Sequence, residues 1–425
     1  MKINEIRNSF THRECDNRFL LLYEDESLLD YQYARYLKAL DAYCALYGTE
    51  DDVHIYSSSG RTEVCGNHTD HQRGNVVAAS INLDAIAFAS KKERYIHVTS
   101  DGTTYDCIDT EALEKADSEE GSSVAIIKGV LYRLKELGYH IGGFDAYVTS
   151  DVLIGSGMSS SACFEILIGT IISGLYNNNT IDTVTLAKVG QYAENVFFGK
   201  PCGLMDQCAC SVGGLVTIDF KDNDHPIVEK VDVDFSDFHA SLCIVDTKGS
   251  HADLTDEYAA VPREMKAVAN FFHKEVLREV DEEEFYNHIN EVRSALGDRS
   301  VLRAIHLFNE QKRVQQLLTA LKERDYEAFK KVIEASGNSS YKYLQNVYAN
   351  SDYNNQSVSL ALALSERSLG NHGVCRVHGG GFSGTIQAFV DDDYVATYKK
   401  DIEKVFGENS CHVLKIRNLP TTEVL

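Results

Sequence analysis

The stretch IGSGMSSSACFEILIGTIISGLY, from Ile154 to Tyr176, joins a glycine–serine turn to a long apolar run. Glycines at 155 and 157 let backbone amides approach a ligand without a Cβ in the way, and three serines follow them. The apolar run from about Phe164 is shorter than the ~20 residues that a membrane-spanning helix requires, so it predicts a buried helix. The start of such a helix offers unpaired N–H groups and a partial positive charge to an anion. This stretch alone fits both a phosphate cradle and an ordinary turn before a core helix.

The segment GRTEVCGNHTDHQRGNVV, from Gly60 to Val77, crowds charged and polar side chains between two strand-like segments. It carries a guanidinium at Arg61, a carboxylate at Asp70 and imidazoles at His68 and His71. The HTDH spacing matches no standard zinc pattern, which argues against a metal site. The residues alone leave two interpretations open. One is a polyol site, in which Asp70 accepts hydrogen bonds from hydroxyls and His68 donates or accepts one, and the other is a solvated loop.

Two further motifs lie towards the C-terminus. The run QYAENVFFGKPCGLMDQCACSVGGL places Glu194 in a helical segment and Asp206 after a Pro-Cys-Gly turn. Two carboxylates separated by a turn can divide labour, one holding Mg²⁺ and one facing a substrate hydroxyl, although either also fits an ordinary surface acid. The segment HGGGFSG at 378–384 fits a glycine loop beside strands or a plain hairpin connection.

The rest of the chain predicts a mixed α/β fold. The segments VVAASINLDAIAFAS, YIHVTS, GLVTIDF and ASLCIVDT have the composition of strands. From about Pro262 to Ser336, apolar residues recur at three- and four-residue spacing, which predicts amphipathic helices. Near the end, VCRVHGGGFSGTIQAFV predicts two strands around the glycine loop, followed by a helix in DYVATYKKDIEKVF and a last strand in CHVLKIR.

The composition narrows the class of protein and its partners. The 425 residues include 64 acidic and 41 basic side chains, for a net charge of −23. Such a surface repels nucleic-acid backbones and anionic lipid, so we expect no nucleic acid and no membrane as partners. The polar start MKINEIRNSF lacks the apolar stretch of a secretory signal, which predicts a cytoplasmic protein. Eleven cysteines without CxxC pairs predict reduced thiols, and the cluster of Cys202, Cys208 and Cys210 predicts small buried residues rather than zinc ligands.

Taken together, the four motifs resemble those of the galactose-, homoserine-, mevalonate- and phosphomevalonate-kinase superfamily, and most closely its galactokinases. The family motif GRxNLIGEHTDYNxG appears as GRTEVCGNHTDHQRG, and the phosphate loop GxGLSSSA appears as GSGMSSSA. The pattern QxAExxFxGxPCGxMDQ is matched at every specified position from Gln191 to Gln207, and the GGGFGG loop appears as GGGFSG. The segment TDEYAAVPREM is similar to the family's SxY segment.

The resemblance implies an ATP-dependent kinase that phosphorylates the anomeric hydroxyl of D-galactose, with ATP and Mg²⁺ as cofactors. It implies that Asp206 faces that hydroxyl and that Arg61 stabilises the charge of the transferring phosphoryl group. The implied metal ligands are Ser161 and Glu194. The implied phosphate cradle consists of Gly155, Ser156, Gly157, Met158, Ser159 and Ser160. The implied sugar pocket consists of Asn67, His68, Asp70, Gly203 and Tyr258.

The resemblance also implies a two-domain α/β architecture. We expect a ribosomal-protein-S5-like N-terminal domain at 1–225, which carries the sugar site and the phosphate loop. We expect a ferredoxin-like C-terminal domain with a split βαβ arrangement at 226–425, which is rich in helices and carries the glycine loop. The nucleotide is expected between the domains, and the chain is expected to be a monomer or a weak homo-oligomer.

One departure from the family bears on the substrate. Asn67 and His71 stand where galactokinases carry a glutamate and a tyrosine. That glutamate ordinarily accepts a hydrogen bond from the C6 hydroxyl, so a neutral amide weakens the exclusion of a C6 carboxylate. Plant galacturonate kinases resemble this chain in having a neutral residue there, followed by HxDHQ. We expect D-galactose as the substrate, with galacturonate or another C6- or C2-modified sugar as the alternative, and we expect Asn67→Glu to keep or improve galactose turnover.

The motifs also bear on two rival functions, a non-catalytic sugar sensor and a mevalonate-type kinase. Galactokinase-like proteins include non-catalytic galactose sensors, which can lack part of the phosphate loop. This chain keeps SSSA, Arg61 and Asp206, which favours an enzyme. A mevalonate-type kinase is disfavoured because those enzymes do not share the HTDH segment.

Overall fold

The computed structural model describes residues 1–152, 157–200, 202–222, 225–249, 254–349 and 352–425. The helices within these ranges are α1 (Ile3–Thr11), α2 (Asp16–Tyr23), α3 (Leu29–Tyr47), α4 (Ser123–Glu136), α5 (Ser160–Asn177), α6 (Thr183–Tyr192), α7 (Met205–Val212), α8 (Thr255–Phe271), α9 (Glu282–Asn287), α10 (Ile289–Leu296), α11 (Asp298–Lys322), α12 (Tyr326–Ser339), α13 (Ser357–Leu369) and α14 (Val395–Phe406). Two π-helical turns extend helices at Ala193–Phe198 and Ser340–Leu344.

The strands of the described residues are β1 (Val53–Cys65), β2 (Asn75–Lys92), β3 (Tyr95–Ser100), β4 (Thr103–Thr104), β5 (Ile108–Asp109), β6 (Gly143–Ser150), β7 (Leu215–Asp219), β8 (Ile227–Val231), β9 (Ala240–Asp246), β10 (Gly373–Val377), β11 (Thr385–Asp391), β12 (Cys411–Leu414) and β13 (Thr422–Glu423). They include every strand that the sequence predicts. The amphipathic region contains α8 to α12, and the predicted buried helix is α5, so the predicted mixed α/β fold is confirmed.

Within the described residues, a nine-stranded sheet forms the larger layer. Its strands run in the order β13-β1-β2-β6-β3-β4, while β5 pairs with β3 and β7 joins β2 to β8. The ladder between β1 and β2 shifts register between Ser59 and Arg61 and again between Glu63 and Cys65. Such bulges bend a strand and redirect its side chains, and both lie in the segment that carries Arg61.

A four-stranded antiparallel sheet forms the smaller layer, in the order β10-β11-β9-β12. Along the chain these strands follow the pattern β9, helices, β10, β11, α14, β12. The β9–helix–β10 unit is therefore split by β11, as predicted. The larger sheet receives β8 and β13 from beyond residue 225, so its strands come from both sides of the predicted boundary at 225/226. The boundary itself stays a prediction.

The two sheets share one apolar core. Its members include Ile166 of α5, Ile244 of β9, Phe389 of β11 and Leu317 of α11, all of them fully buried. Full burial of one such side chain stabilises the fold by roughly 1.5–3 kcal/mol. The site described below lies where the larger sheet, α5 and α7 meet β10 and β11, and this shared core holds those elements in fixed relation.

The eleven cysteines are free thiols in the structure. Cys208 and Cys210 are buried and Cys202 is half-buried. Burial raises the pKa of the Cys208 thiol to about 12, which keeps it protonated. In the part of the chain that is described, no helix is both long enough and apolar enough to span a lipid bilayer.

Candidate active site

Arg61 and Asp206 form a bidentate ion pair at the centre of the candidate site. Arg61 Nε donates to Asp206 Oδ1 at 2.7 Å, and Arg61 Nη2 donates to Asp206 Oδ2 at 2.9 Å. The remaining guanidinium nitrogen, Nη1, donates to the carbonyl of Gly157. The Arg61 side chain is 7% exposed, whereas that of Asp206 is 35% exposed. The cation is therefore fixed within the protein, and the carboxylate remains accessible to a substrate.

The pKa of Asp206 lies below its ordinary value. Burial alone would raise this pKa, but the charge and the hydrogen bonds of Arg61 outweigh it, and a hydrogen bond from Ser159 Oγ acts in the same direction. Asp206 is also the second residue of α7, where the partial positive charge of a helix start favours a carboxylate. Asp206 is therefore ionised at neutral pH and ready to accept a hydrogen bond.

The described part of the predicted phosphate cradle lies at the start of α5. Ser159 precedes the helix with φ of 57°, a left-handed conformation that costs a non-glycine residue on the order of 1–3 kcal/mol and that clusters at functional sites. Ser160 and Ser161 occupy the first turn, where backbone N–H groups have no partner within the helix. The start of α5 thus has the geometry of an anion site.

Two further members of the cradle, Met158 and Gly157, lie close to neighbouring strands. Met158 has a buried side chain, and its carbonyl accepts a hydrogen bond from the Arg61 N–H at 3.2 Å. Gly157 has φ of 73°, and a Cβ there would lie 3.1 Å from Thr385 Oγ1 of β11. Gly155 and Ser156 lie outside the described residues. The end of the cradle is therefore attached to β1 on one side and approaches β11 on the other.

Glu194 lies in the π-helical turn that follows α6, a distortion that often marks functional sites. Its buried carboxylate accepts from Lys200 Nζ at 3.1 Å and from Gln207 Nε2 at 3.1 Å. The same Gln207 amide donates to Glu165 Oε2 at 3.0 Å. Glu165 Oε1 is buried and has no hydrogen-bond partner among the described residues. Burial and the nearby Glu194 charge raise the pKa of Glu165. Two buried carboxyl groups thus lie side by side and share one amide donor, and oxygen ligands of this kind suit a divalent cation.

The glycine loop, residues 378–384, collects donors from the predicted sugar pocket. Three consecutive carbonyls of the loop each accept a hydrogen bond from one of these donors. Asn67 Nδ2 donates to the first, Gly379, at 2.8 Å, and His68 Nε2 donates to Gly380 at 2.9 Å. Tyr258 Oη donates to Gly381 at 2.6 Å. A Cβ at 380 would lie 2.7 Å from the Tyr258 ring, so this close approach requires glycine.

The other two members of the predicted pocket lie against each other. A Cβ at 203 would collide with Asp70 Oδ2, so a larger residue there would displace this carboxylate. His71 lies beside His68, with ring centroids 5.6 Å apart. Burial lowers the pKa of His71 to about 4, so its imidazole is neutral at pH 7.

Helix α11 supports this pocket from behind. His306 Nε2 donates to the Asn67 carbonyl at 3.0 Å, and Ser339 Oγ lies 2.9 Å from His306 Nδ1. One turn later, Glu310 Oε1 accepts from the Gly66 N–H at 3.1 Å. Burial lowers the pKa of His306 to about 4, so the ring is neutral at pH 7 and Nδ1 accepts from the serine.

We expect the free energy of unfolding to decrease as the pH falls from about 6.5 to about 4, because His306 takes up a proton in the unfolded chain before it does so in the folded one. This residue contributes at most about 3 kcal/mol to the decrease. Denaturant unfolding at pH 7 and pH 4.5 measures it. His71 and His378, whose pKa values burial also lowers, add to the decrease. The profile of His306→Gln should be shallower, and an equally steep profile would contradict the assignment.

The sequence did not reveal several residues of the site. One of them is Glu63, at the back of the pocket. Its carboxylate accepts hydrogen bonds from Asn67 and Arg376. Its signal was present, since the family motif GRxN has asparagine where this chain has Glu63. Asn346 and His306 lie in the helix-rich region, where no motif marks them.

Comparisons with known proteins show what the chain is similar to. A model described as the GHMP kinases N terminal domain matches residues 125–214, and one described as the galactokinase galactose-binding signature matches residues 41–91. The galactokinase of Glaesserella parasuis serovar 5 is 30% identical over 358 residues, which covers 83% of this chain and 88% of the relative. The galactokinase of Streptomyces coelicolor is 28% identical over 372 residues, which covers 85% of this chain and 90% of the relative.

Solved structures support the fold. Lactococcus lactis galactokinase, crystallised with galactose, superposes with a TM-score of 0.76 at 24% identity and covers 91% of this chain and 100% of its own. Methanococcus jannaschii mevalonate kinase superposes with a TM-score of 0.62 at 14% identity and covers 86% of this chain and 99% of its own. The fold predicted from the motifs is therefore confirmed.

Proposed function

Because the chain belongs to the galactokinase family, we propose that it transfers the γ-phosphate of ATP to the anomeric hydroxyl of D-galactose, giving galactose 1-phosphate and ADP. The observation that carries this proposal is the Arg61–Asp206 ion pair, which is hydrogen-bonded to Gly157 and Ser159 of the phosphate cradle. Phosphoryl transfer depends on positioning and charge neutralisation more than on covalent chemistry. An accessible carboxylate beside a fixed guanidinium and an anion cradle supplies both.

In this proposal Asp206 accepts a hydrogen bond from the anomeric hydroxyl and aligns its oxygen with the phosphorus atom. The low pKa of Asp206, which persists against burial because of Arg61, makes it a weak base. We therefore assign it orientation and electrostatic stabilisation ahead of early proton removal. Arg61 stabilises the negative charge that spreads over the transferring group, and its bond to Gly157 fixes it next to the cradle.

We propose that Gly155 to Ser160 cradle the phosphates of ATP and that Ser161 and Glu194 hold Mg²⁺. The local chemistry fits a divalent cation, because the buried acceptors of Glu194 and Glu165 share a single amide donor from Gln207 and Glu165 Oε1 lacks a partner among the described residues. When bound, the ion neutralises charge on the phosphate oxygens.

The sugar pocket in this proposal is lined by His68, Asp70, Gly203 and Tyr258, with Asn67 behind them. Asp70 and Gly203 lie in contact, and His68 and Tyr258 both bind the glycine loop. These side chains supply acceptors and donors suited to a polyol. The comparisons do not favour the galacturonate kinase or the non-catalytic sensor, because the relatives named above are galactokinases.

We also propose the organisation that the motifs imply. Residues 1–225 form the domain with the sugar site, and residues 226–425 form the domain with the glycine loop. The chain works in the cytoplasm as a monomer or weak homo-oligomer, with ATP and a sugar as its partners.

A panel of sugars with ATP tests the proposed reaction. ADP release should be fastest with D-galactose, and the product should carry an acid-labile phosphate on the anomeric carbon. A lack of ADP release with galactose, or a phosphate at another carbon, would contradict the proposal. Galacturonate and 2-deoxygalactose in the same panel measure the selectivity at C6 and C2.

Glu194→Gln is expected to raise the Mg²⁺ concentration for half-maximal turnover about tenfold, because an amide ligates a hard cation more weakly than a carboxylate. A Mg²⁺ titration at saturating galactose and ATP measures the change. Glu423→Gln is a matched control, since Glu423 is a half-buried carboxylate in β13 whose partners are His54 and Asn179. Turnover that does not depend on Mg²⁺ in the unaltered protein would contradict the assignment of Ser161 and Glu194.

A further inference from the structure

The side chain of Asn67 uses its whole hydrogen-bonding capacity inside the protein. Its Nδ2 donates to Glu63, at 3.1 Å to Oε1 and 3.2 Å to Oε2, and to the Gly379 carbonyl at 2.8 Å. Its Oδ1 accepts from Ser340 Oγ at 3.1 Å and from Asn346 Nδ2 at 2.8 Å. The residue is fully buried. Since an amide offers two N–H groups and two lone pairs, no bonding capacity is left for a sugar.

Buried Arg376 balances the charge of Glu63, the carboxylate beside Asn67. Arg376 Nη2 donates to Glu63 Oε1 at 3.0 Å, and Arg376 Nη1 donates to the Val64 carbonyl at 2.9 Å. The Arg376 side chain is 0% exposed and that of Glu63 is 4% exposed. A buried carboxylate is tolerated when it is paired and hydrogen-bonded, so this environment suits one negative charge and not two.

The contacts of Asn67 reach the sugar end of the site through the glycine loop. Its bond to Gly379 lies directly before the two carbonyls that accept from His68 and Tyr258. Asn346, which donates to Asn67 Oδ1, also donates to the Gly380 carbonyl at 3.1 Å. A displaced Asn67 would therefore displace the acceptors of both His68 and Tyr258.

We propose that Glu63, Asn67 and Arg376 form a positioning unit that fixes the glycine loop, and through it His68 and Tyr258, in the geometry that binds the sugar. The proposal rests on the proposed function. The galactokinase motif GRxNLIGEHTDYNxG has asparagine and glutamate at these two positions in the reverse order. This chain thus keeps one carboxylate and one amide, with the charge moved from the loop to β1. Asn67 acts on sugar binding through the loop and not by contact.

Four proteins test the unit: the unaltered chain, Glu63→Asn, Asn67→Glu and the double variant that exchanges the two residues. Asn67→Glu alone sets a second carboxylate beside the buried Glu63–Arg376 pair, so it should raise the KM for galactose at least about tenfold while the KM for ATP stays within about twofold. This reverses the expectation from sequence alone. The double variant again has one carboxylate and one amide, and its galactose KM should return to within about threefold of the original value.

The control is the same exchange in a pair away from the site, Asn179→Glu with Glu423→Asn. The exposed Asn179 and the half-buried Glu423 are joined at 2.6 Å between Asn179 Nδ2 and Glu423 Oε2. Its two KM values should stay within about twofold of the original. The proposal is overturned if the loss in the double variant equals the product of the two single losses, or if the KM values for galactose and ATP rise in parallel, as a purely structural defect would cause.

The test still has an outcome if one variant does not fold or if the proposed function fails. If Asn67→Glu does not fold, the double variant must bind galactose more tightly than Glu63→Asn, which leaves Arg376 without a carboxylate; weaker or equal binding overturns the proposal. Failure of the proposed function is separate and visible in the same assay, since the unaltered chain would then turn over no galactose.

Discussion

Asp206→Asn is expected to lower kcat about 10³-fold with galactose and ATP, with little change in either KM. Asparagine keeps the shape and one acceptor but removes the charge. Arg61 then loses its ionic partner, and the substrate hydroxyl loses the anionic acceptor that aligns it. Steady-state kinetics measures kcat, and circular dichroism together with ATP binding establishes that the variant is folded.

A second Arg–Asp pair provides a matched control for this substitution. Asp219, at the end of β7, is also paired through both carboxylate oxygens, with Arg278. Burial would raise the pKa of Asp219, but its bonds to Arg278 hold it below the ordinary value, as Arg61 does for Asp206. Asp219→Asn should leave kcat within about twofold. If Asp206→Asn turned over galactose as fast as this control does, Asp206 would have no part in the reaction.

Arg61→Lys should lower kcat about 10²-fold although it conserves the charge. Lysine cannot donate at the same time to both oxygens of Asp206 and to the Gly157 carbonyl with the fixed geometry of a guanidinium. The cation would then shift relative to the phosphate cradle. The measurement is kcat at saturating substrates, since a loss of positioning in the transition state lowers kcat more than it raises KM.

Arg278→Lys is the corresponding control, because it breaks a bidentate pair of the same kind, and the other partner of Arg278 is the Arg73 carbonyl and not Asp206 or the cradle. Its kcat should stay within about twofold of the unaltered value. Equal kcat values for Arg61→Lys and the unaltered protein would show that charge alone, without the fork geometry, satisfies the reaction.

The local parts of the fold and of the site could be predicted from the sequence. Helix α5 follows from a largely apolar run, and the strands around the glycine loop follow from short β-rich segments flanked by glycine. Arg61 and Asp206 were predicted to act on the same phosphoryl transfer because each lies in a motif of the family resemblance, and the two side chains are in contact.

The long-range parts could not be predicted in this way. His306 has the spacing of a core position in an amphipathic helix, and nothing in that pattern indicates that its ring binds the Asn67 carbonyl, 239 residues away along the chain. Strand β13 has only two residues, too few for any periodicity. The exchange of Glu63 and Asn67 was visible as two separate departures from one motif, but only their shared hydrogen bonds show that they belong together.

The pairing of β13 with β1 also affects the order in which the molecule can assemble. Tyr56 and Ser57 of β1 pair with Glu423 and Thr422, and the backbone N–H of Ile55 donates to the Leu425 carbonyl at 3.0 Å. This edge of the larger sheet therefore cannot close during synthesis until residues 422–425 have emerged. A nascent chain would carry β1 with one side unpaired throughout the production of the helix-rich region. Contacts of such long sequence separation slow folding, and an unpaired strand edge invites association with other chains in the meantime.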